Sequence, residues 1–133
     1  KVSGLYEHYI VNKTDLVRGF DDLFFIPQSR YCSLIESDIV KRFDLILTSK
    51  SNESGVYIVE SQDGSKIFLT GHAEYDLYTL DKEYRRDINK GLDIEPPKNY
   101  YKDNNPENKP MYKWHAHSNL LYHNWLYYYV YKK

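Results

Sequence analysis

The order of patterned segments predicts a layered α/β domain. Between Leu5 and Thr70 the apolar residues fall in five short runs separated by turn residues, the mark of strands. After Gly71 the period lengthens to that of a helix, and a second helical stripe starts at Trp114. Strands followed by a covering helix, then by another helix, make stacked α and β layers. At 133 residues a single domain over 1–133 is expected, with chain enough to bury a real core.

Lys1-Val2-Ser3-Gly4-Leu5-Tyr6 is neither a signal peptide nor a flexible tag, and it reads as the start of a strand inside a domain. Leu5 to Val11 alternates as a strand does. Phe24-Phe25-Ile26 is a second apolar run, which Pro27 is expected to halt. Phe43 to Thr48 is the third, closed by the turn cluster Ser51 to Gly55, and Val56 to Glu60 is the fourth. Asp63-Gly64 turns the chain into Lys66 to Thr70. That fifth run is apolar on both faces, as in the centre of a covered sheet. Leu77, Leu80, Tyr84 and Ile88 share a helical face, with Gly91 placed to stop the helix. Glu95 to Pro110 is a polar connection with four prolines. Beyond it Trp114, Leu121, Trp125 and Tyr129 form another stripe, although Tyr127 to Val130 and Tyr131 suit a strand equally well.

Composition excludes several functions. Eighteen Lys and Arg against 19 Asp and Glu leave a net charge of −1, without the basic surplus that phosphate binding needs. Stacking of bases on the 15 tyrosines is the weakest option, since no RNA-binding motif surrounds them. No apolar run approaches the roughly 20 residues of a membrane span. A single cysteine rules out an internal disulfide framework and suits a reducing, cytoplasmic compartment.

Chemistry concentrates at Thr70-Gly71-His72-Ala73-Glu74-Tyr75-Asp76. In open α/β sheets the functional crevice lies beyond the carboxyl ends of strands. A spacing of two in extended chain sends His72 and Glu74 to the same side. The carboxylate can then hold one ring nitrogen and leave the other facing substrate. A surface histidine beside a capping acid has the same spacing, so the pattern alone leaves both readings open. No nucleophile accompanies the pair. Cys32 has no flanking glycine to build an elbow and reads as a buried or incidental thiol, and Gly-x-Ser-x-Gly does not occur. Zinc held by His72, Glu74, His115, His117 and His123 is a rival. His115 and His117, however, would stand about 200° apart on a helix of 3.6 residues per turn.

Further ordered blocks carry a resemblance: Lys1 to His8, Arg18-Gly19-Phe20-Asp21-Asp22, Pro27-Gln28-Ser29-Arg30-Tyr31, Glu83-Tyr84-Arg85-Arg86-Asp87, Asn99-Tyr100-Tyr101, Asn119-Leu120-Leu121 and Asn124-Trp125-Leu126. With the His72 block, they make the chain resemble the C-terminal portion of the homoserine O-acyltransferase family. The resemblance implies a flavodoxin-like sandwich similar to class I glutamine amidotransferases. It implies ping-pong acyl transfer from succinyl- or acetyl-CoA to L-homoserine in methionine biosynthesis, with no cofactor beyond the acyl-CoA co-substrate. His72 matches the family's base, Glu74 its orienting acid, Arg86 the clamp on the homoserine carboxylate, and Ser29 and Lys1 further substrate contacts. A guanidinium suits a carboxylate because it can bind it bidentately. The family's nucleophilic cysteine and acyl-discriminating position lie N-terminal to Lys1, and Cys32 matches a non-catalytic position. Ala73 stands where proline is usual and Gln28 where histidine is common. A homodimer is the family expectation. The alternative is a catalytically inactive remnant that serves at most as a binding module.

Overall fold

The computed structural model describes residues 1–131. Five strands, β1 (Val2–Ile10), β2 (Leu23–Arg30), β3 (Leu45–Ser51), β4 (Gly55–Ser61) and β5 (Ile67–Leu69), form one sheet in the order β2-β1-β3-β4-β5. Every pairing is antiparallel. Helices α1 (Glu36–Val40), α2 (Thr79–Asn89) and α3 (His115–Trp125) complete the α/β architecture, and α3 runs on into a π turn over Leu126–Val130. The π turn replaces the strand that the tyrosine run also suited. Among the described residues no helix is long and apolar enough to cross a membrane.

Two expectations about the sheet are corrected. Pro27 does not end the second strand; it sits inside β2 opposite Leu5. β2 is the outer strand, and the Pro27 carbonyl faces away from β1 to accept the His72 N–H at 2.9 Å. The missing proline N–H lies on that same side and costs no ladder bond. Nor is the fifth strand central: β5 is a three-residue edge with Phe68 and Leu69 exposed, whereas β4 is buried through Val56–Glu60. Alternation reports which faces are apolar, not whether anything covers them.

The sheet curls until its ends approach. Thr70 continues on β4 by donating to the Tyr57 carbonyl at 3.0 Å, and two residues later His72 is bonded to β2. One core cluster joins Leu16, Val17, Phe24, Ile26, Tyr57, Ile58, Ala73 and Leu121 beneath α3. A second gathers Leu5, Leu80, Tyr100, Tyr101 and Trp114 between β1, α2 and the proline-rich connection. Ile39 of α1 packs with Leu47, Val56 and Val59 in a third. α2 buries Leu80 as its stripe predicts, but Ile88 is exposed and Asp87 is buried instead. Gly91 (φ 78°) ends the helix, with Leu92 N–H bonded to the Asp87 carbonyl. The buried Glu60 carboxylate accepts hydroxyl bonds from Thr14, Thr48 and Tyr129, tying the π turn to the sheet.

At Gly4 the proline-rich connection touches β1: Leu5 N–H donates to the Lys98 carbonyl and Lys98 N–H to the Ser3 carbonyl. A Cβ at Gly4 (φ 138°) would lie 2.3 Å from the Lys98 nitrogen. Gly4→Ala is therefore expected to destabilise the protein by about 2 kcal/mol or more, read as a lowered denaturation midpoint. A change within about 0.5 kcal/mol would show that this contact does not constrain the fold.

Candidate active site

Gly71 lets the chain cross from β5 to β2. A Cβ there would meet Gln28 Nε2 at 2.7 Å and Ile26 Cγ2 at 2.9 Å. The next four residues form a turn closed by Tyr75 N–H to the His72 carbonyl at 3.1 Å. Two donors from around α3 fix this turn from behind: Ser118 Oγ bonds the Ala73 carbonyl at 2.5 Å, and Trp114 Nε1 bonds the Tyr75 carbonyl at 3.0 Å. The turn, not an extended strand, brings His72 Nδ1 to 3.0 Å from Glu74 Oε2. An ionised carboxylate only accepts, so the bond assigns the proton to Nδ1 and leaves the Nε2 lone pair available. The His72 side chain is 36 % exposed, open enough for a reactant to reach that nitrogen.

Tyr75 lies flat against the His72 imidazole, with ring centroids 4.5 Å apart and planes 5° from parallel. Its hydroxyl donates to Glu83 Oε2 at 2.8 Å, while Ser29 Oγ donates to Glu83 Oε1 at 2.7 Å. His72, Tyr75, Glu83 and Ser29 are thus linked contact by contact. One turn further along α2, Arg86 does not pair with Glu83. Its Nε donates to Asp87 Oδ1 at 3.1 Å, and Lys1 Nζ lies 3.6 Å from Asp87 Oδ2. Arg86 beside it, then Lys1, hold the Asp87 carboxyl below its ordinary value. Lys1 also rests over the Tyr31 ring at 5.3 Å. A cavity of about 590 Å³ opens beside Lys1, Glu83 and Asp87, under the Asp93 to Lys98 segment; its walls include neither His72 nor Arg86.

The remaining candidates sit elsewhere. Cys32 is exposed, not buried, because it follows the end of β2 in an open loop. His117 Nε2 lies 3.3 Å from Asp21, while the His115 ring packs against Tyr112. Among the described residues no three His, Cys, Asp or Glu side chains group as a metal site requires.

The sequence reading missed the layer beneath the turn. His8 is fully buried; its Nδ1 lies 2.8 Å from the Tyr6 carbonyl and its Nε2 3.1 Å from Gln28 Nε2. This arrangement fits only a neutral ring with the proton on Nδ1. Arg30 donates in turn to Gln28 Oε1 and to the Ser54 carbonyl. Gln28, the residue that abuts Gly71, is thereby locked at both ends of its amide. Tyr75, Asp87 and His8 were legible only as residue types, because their partners come from distant parts of the chain.

A family model described as homoserine O-succinyltransferase matches residues 1–133. The chain belongs to the homoserine O-succinyltransferase family. Among the similar relatives of this family member are proteins named homoserine O-acetyltransferase. Those from Phocaeicola vulgatus, Agathobacter rectalis and Bacteroides thetaiotaomicron are 51%, 50% and 47% identical over 134 residues. Each match takes in 100% of this chain and 43–44% of the relative. The chain thus spans less than half the length of these relatives and corresponds to their C-terminal portion.

Proposed function

We propose that this chain is the C-terminal portion of an enzyme that moves an acyl group from acyl-CoA to the hydroxyl of L-homoserine. The acyl group passes through a cysteine thioester, and the cysteine belongs to an N-terminal portion of the same protein. The observation that carries this reading is the His72–Glu74 turn, with Nδ1 held and Nε2 free. His72 takes the cysteine proton as the thiolate attacks the acyl-CoA carbonyl; collapse of the tetrahedral adduct expels CoA, which leaves with that proton. In the second half-reaction His72 takes the homoserine hydroxyl proton as the oxygen attacks the acyl-cysteine, and returns it to the departing thiolate. Glu74 stabilises the imidazolium formed in each half-reaction.

Arg86 receives the homoserine carboxylate, with Lys1 supplying a second positive charge and Ser29 a hydroxyl. Asp87 pairs with both cations, and because its bond to Arg86 uses Nε, the two terminal nitrogens of the guanidinium are left for the substrate carboxylate. Glu83, one helical turn from Arg86, is the natural acceptor for the substrate ammonium. The names of the relatives favour an acetyl donor. In this reading the N-terminal portion adds to the open edge of β5 and covers Phe68 and Leu69, completing a flavodoxin-like sandwich. A cytoplasmic homodimer belongs to the same reading. Residues 1–133 alone are expected to be inactive for want of the nucleophile.

The test is a chimera in which the N-terminal part of the Phocaeicola vulgatus acetyltransferase precedes residues 1–133, assayed for acylhomoserine by mass spectrometry. Arg86→Ala in this chimera should raise the KM for homoserine roughly 10- to 100-fold, as loss of a charged contact does. Release of CoA in the absence of homoserine should stay near its original rate. Equal damage to both half-reactions would make Arg86 a structural residue.

A further inference from the structure

We infer that Tyr75 is a positioning residue with two separable actions: its ring face holds the His72 imidazole, and its hydroxyl sets the Glu83 carboxylate. The inference rests on the reading of His72 as the base. Three contacts carry it. The rings of Tyr75 and His72 are parallel at 4.5 Å, so tilting of the imidazole away from Glu74 is blocked on one face. The Tyr75 carbonyl is anchored to the Trp114 indole, whose side chain is buried in the second core cluster, so the stacking partner is itself fixed. At its far end the phenol donates to Glu83, the same carboxylate that accepts from Ser29.

Each contact has a chemical consequence. When His72 accepts a proton it becomes a cation against an aromatic face, and such a face attracts a cation. Donation from the Tyr75 hydroxyl to a carboxylate enriches the ring and strengthens that attraction. Burial, and then Glu83, push the hydroxyl well above its ordinary titration range, so it stays a donor throughout neutral pH. The hydroxyl bond also fixes one Glu83 oxygen while Ser29 fixes the other, leaving the carboxylate in one orientation toward an incoming ammonium. Tyr75 therefore joins the half-site that handles protons to the half-site that holds the amino acid.

Two substitutions separate these actions. Tyr75→Phe keeps the stacked ring and removes the bond to Glu83; Tyr75→Leu removes both. In the chimera, Tyr75→Phe should raise the KM for homoserine severalfold while CoA release without homoserine changes less than about twofold. Tyr75→Leu should raise the KM similarly and also slow CoA release by roughly tenfold. Long-range nitrogen–proton NMR of the His72 ring gives a readout independent of turnover. A single Nδ1–H tautomer is expected in the parent and in Tyr75→Phe, and a tautomer mixture in Tyr75→Leu. Equal losses in both half-reactions for the two variants, or an unchanged tautomer in Tyr75→Leu, would overturn the inference. An inactive parent chimera with the expected tautomer pattern would instead sink His72's role in acyl transfer and leave the positioning by Tyr75 standing.

Discussion

His72→Ala in the chimera should lower acylhomoserine formation by about 10²- to 10⁴-fold, the span that a positioned general base contributes. Both half-reactions should slow, because each transfers a proton through the same nitrogen. Replacements of Glu74 should fall in a graded order. Glu74→Gln retains an oxygen that can accept from Nδ1 and loses the charge that stabilises the imidazolium. Glu74→Ala loses both, so its rate should be the lower of the two. Variants at His115, which packs against Tyr112 away from the turn, should retain parental turnover. Near-parental rates for His72→Ala would remove the base from the mechanism. Equal rates for the two Glu74 variants would mean that charge, rather than holding the tautomer, is what Glu74 supplies.

Lowering the pH from 6.5 to 4 should cost the fold about 3 kcal/mol through His8 alone, at roughly 1.4 kcal/mol per pH unit. Burial pushes this imidazole down from 6.5 to about 4, the nearby Arg30 adds to the depression, and the Tyr6 carbonyl bond opposes it. The unfolded chain binds a proton below 6.5, and the folded chain does not until about 4. Protons therefore favour unfolding across that interval. The His8 contribution is complete above 6.5, declines as the pH falls, and is spent below about 4.

The carboxylates held low in the folded state act in a more acidic window. Asp63, bonded by Ser65 and Ser61, is lowered from 3.8 to about 2, so its share is lost as the pH falls through that interval. The two windows can be resolved in a denaturation series. His8→Phe places a ring of similar shape between Phe24 and Tyr57 and should flatten the slope between pH 6.5 and 4. It should also cost about 1–3 kcal/mol at pH 7 by leaving the buried Gln28 amide unpaired. A slope unchanged in His8→Phe would assign the acid sensitivity to other groups.

Periodicity found the strands and both long helices, because an apolar stripe needs only its own residues to be seen. It failed where neighbours decide. Pro27 reads as a breaker until β2 is known to be the outer strand, and Lys66 to Thr70 reads as central until β5 is seen with one partner. The five-residue helix α1 lacks the length for a stripe, and its one buried residue, Ile39, gives no pattern. The His72–Glu74 pair was legible from spacing, yet the extended geometry assumed for it was wrong: a turn held by Ser118 and Trp114 makes the contact. Arg86 was singled out by the resemblance alone, and that its Nε is held by the neighbouring Asp87 is seen only in the structure. The buried His8–Gln28–Arg30 chain was invisible, since alternating residues on two strands acquire partners only when those strands pair.

The most direct test of the central claim is to load the chimera with acetyl-CoA in the absence of homoserine and locate the acetyl group by peptide mass mapping. One acetyl group is expected on a cysteine of the N-terminal portion and none on Cys32, with its discharge as O-acetylhomoserine when homoserine is added. Acetylation of Cys32, or an acyl-enzyme that homoserine does not discharge, would contradict the claim.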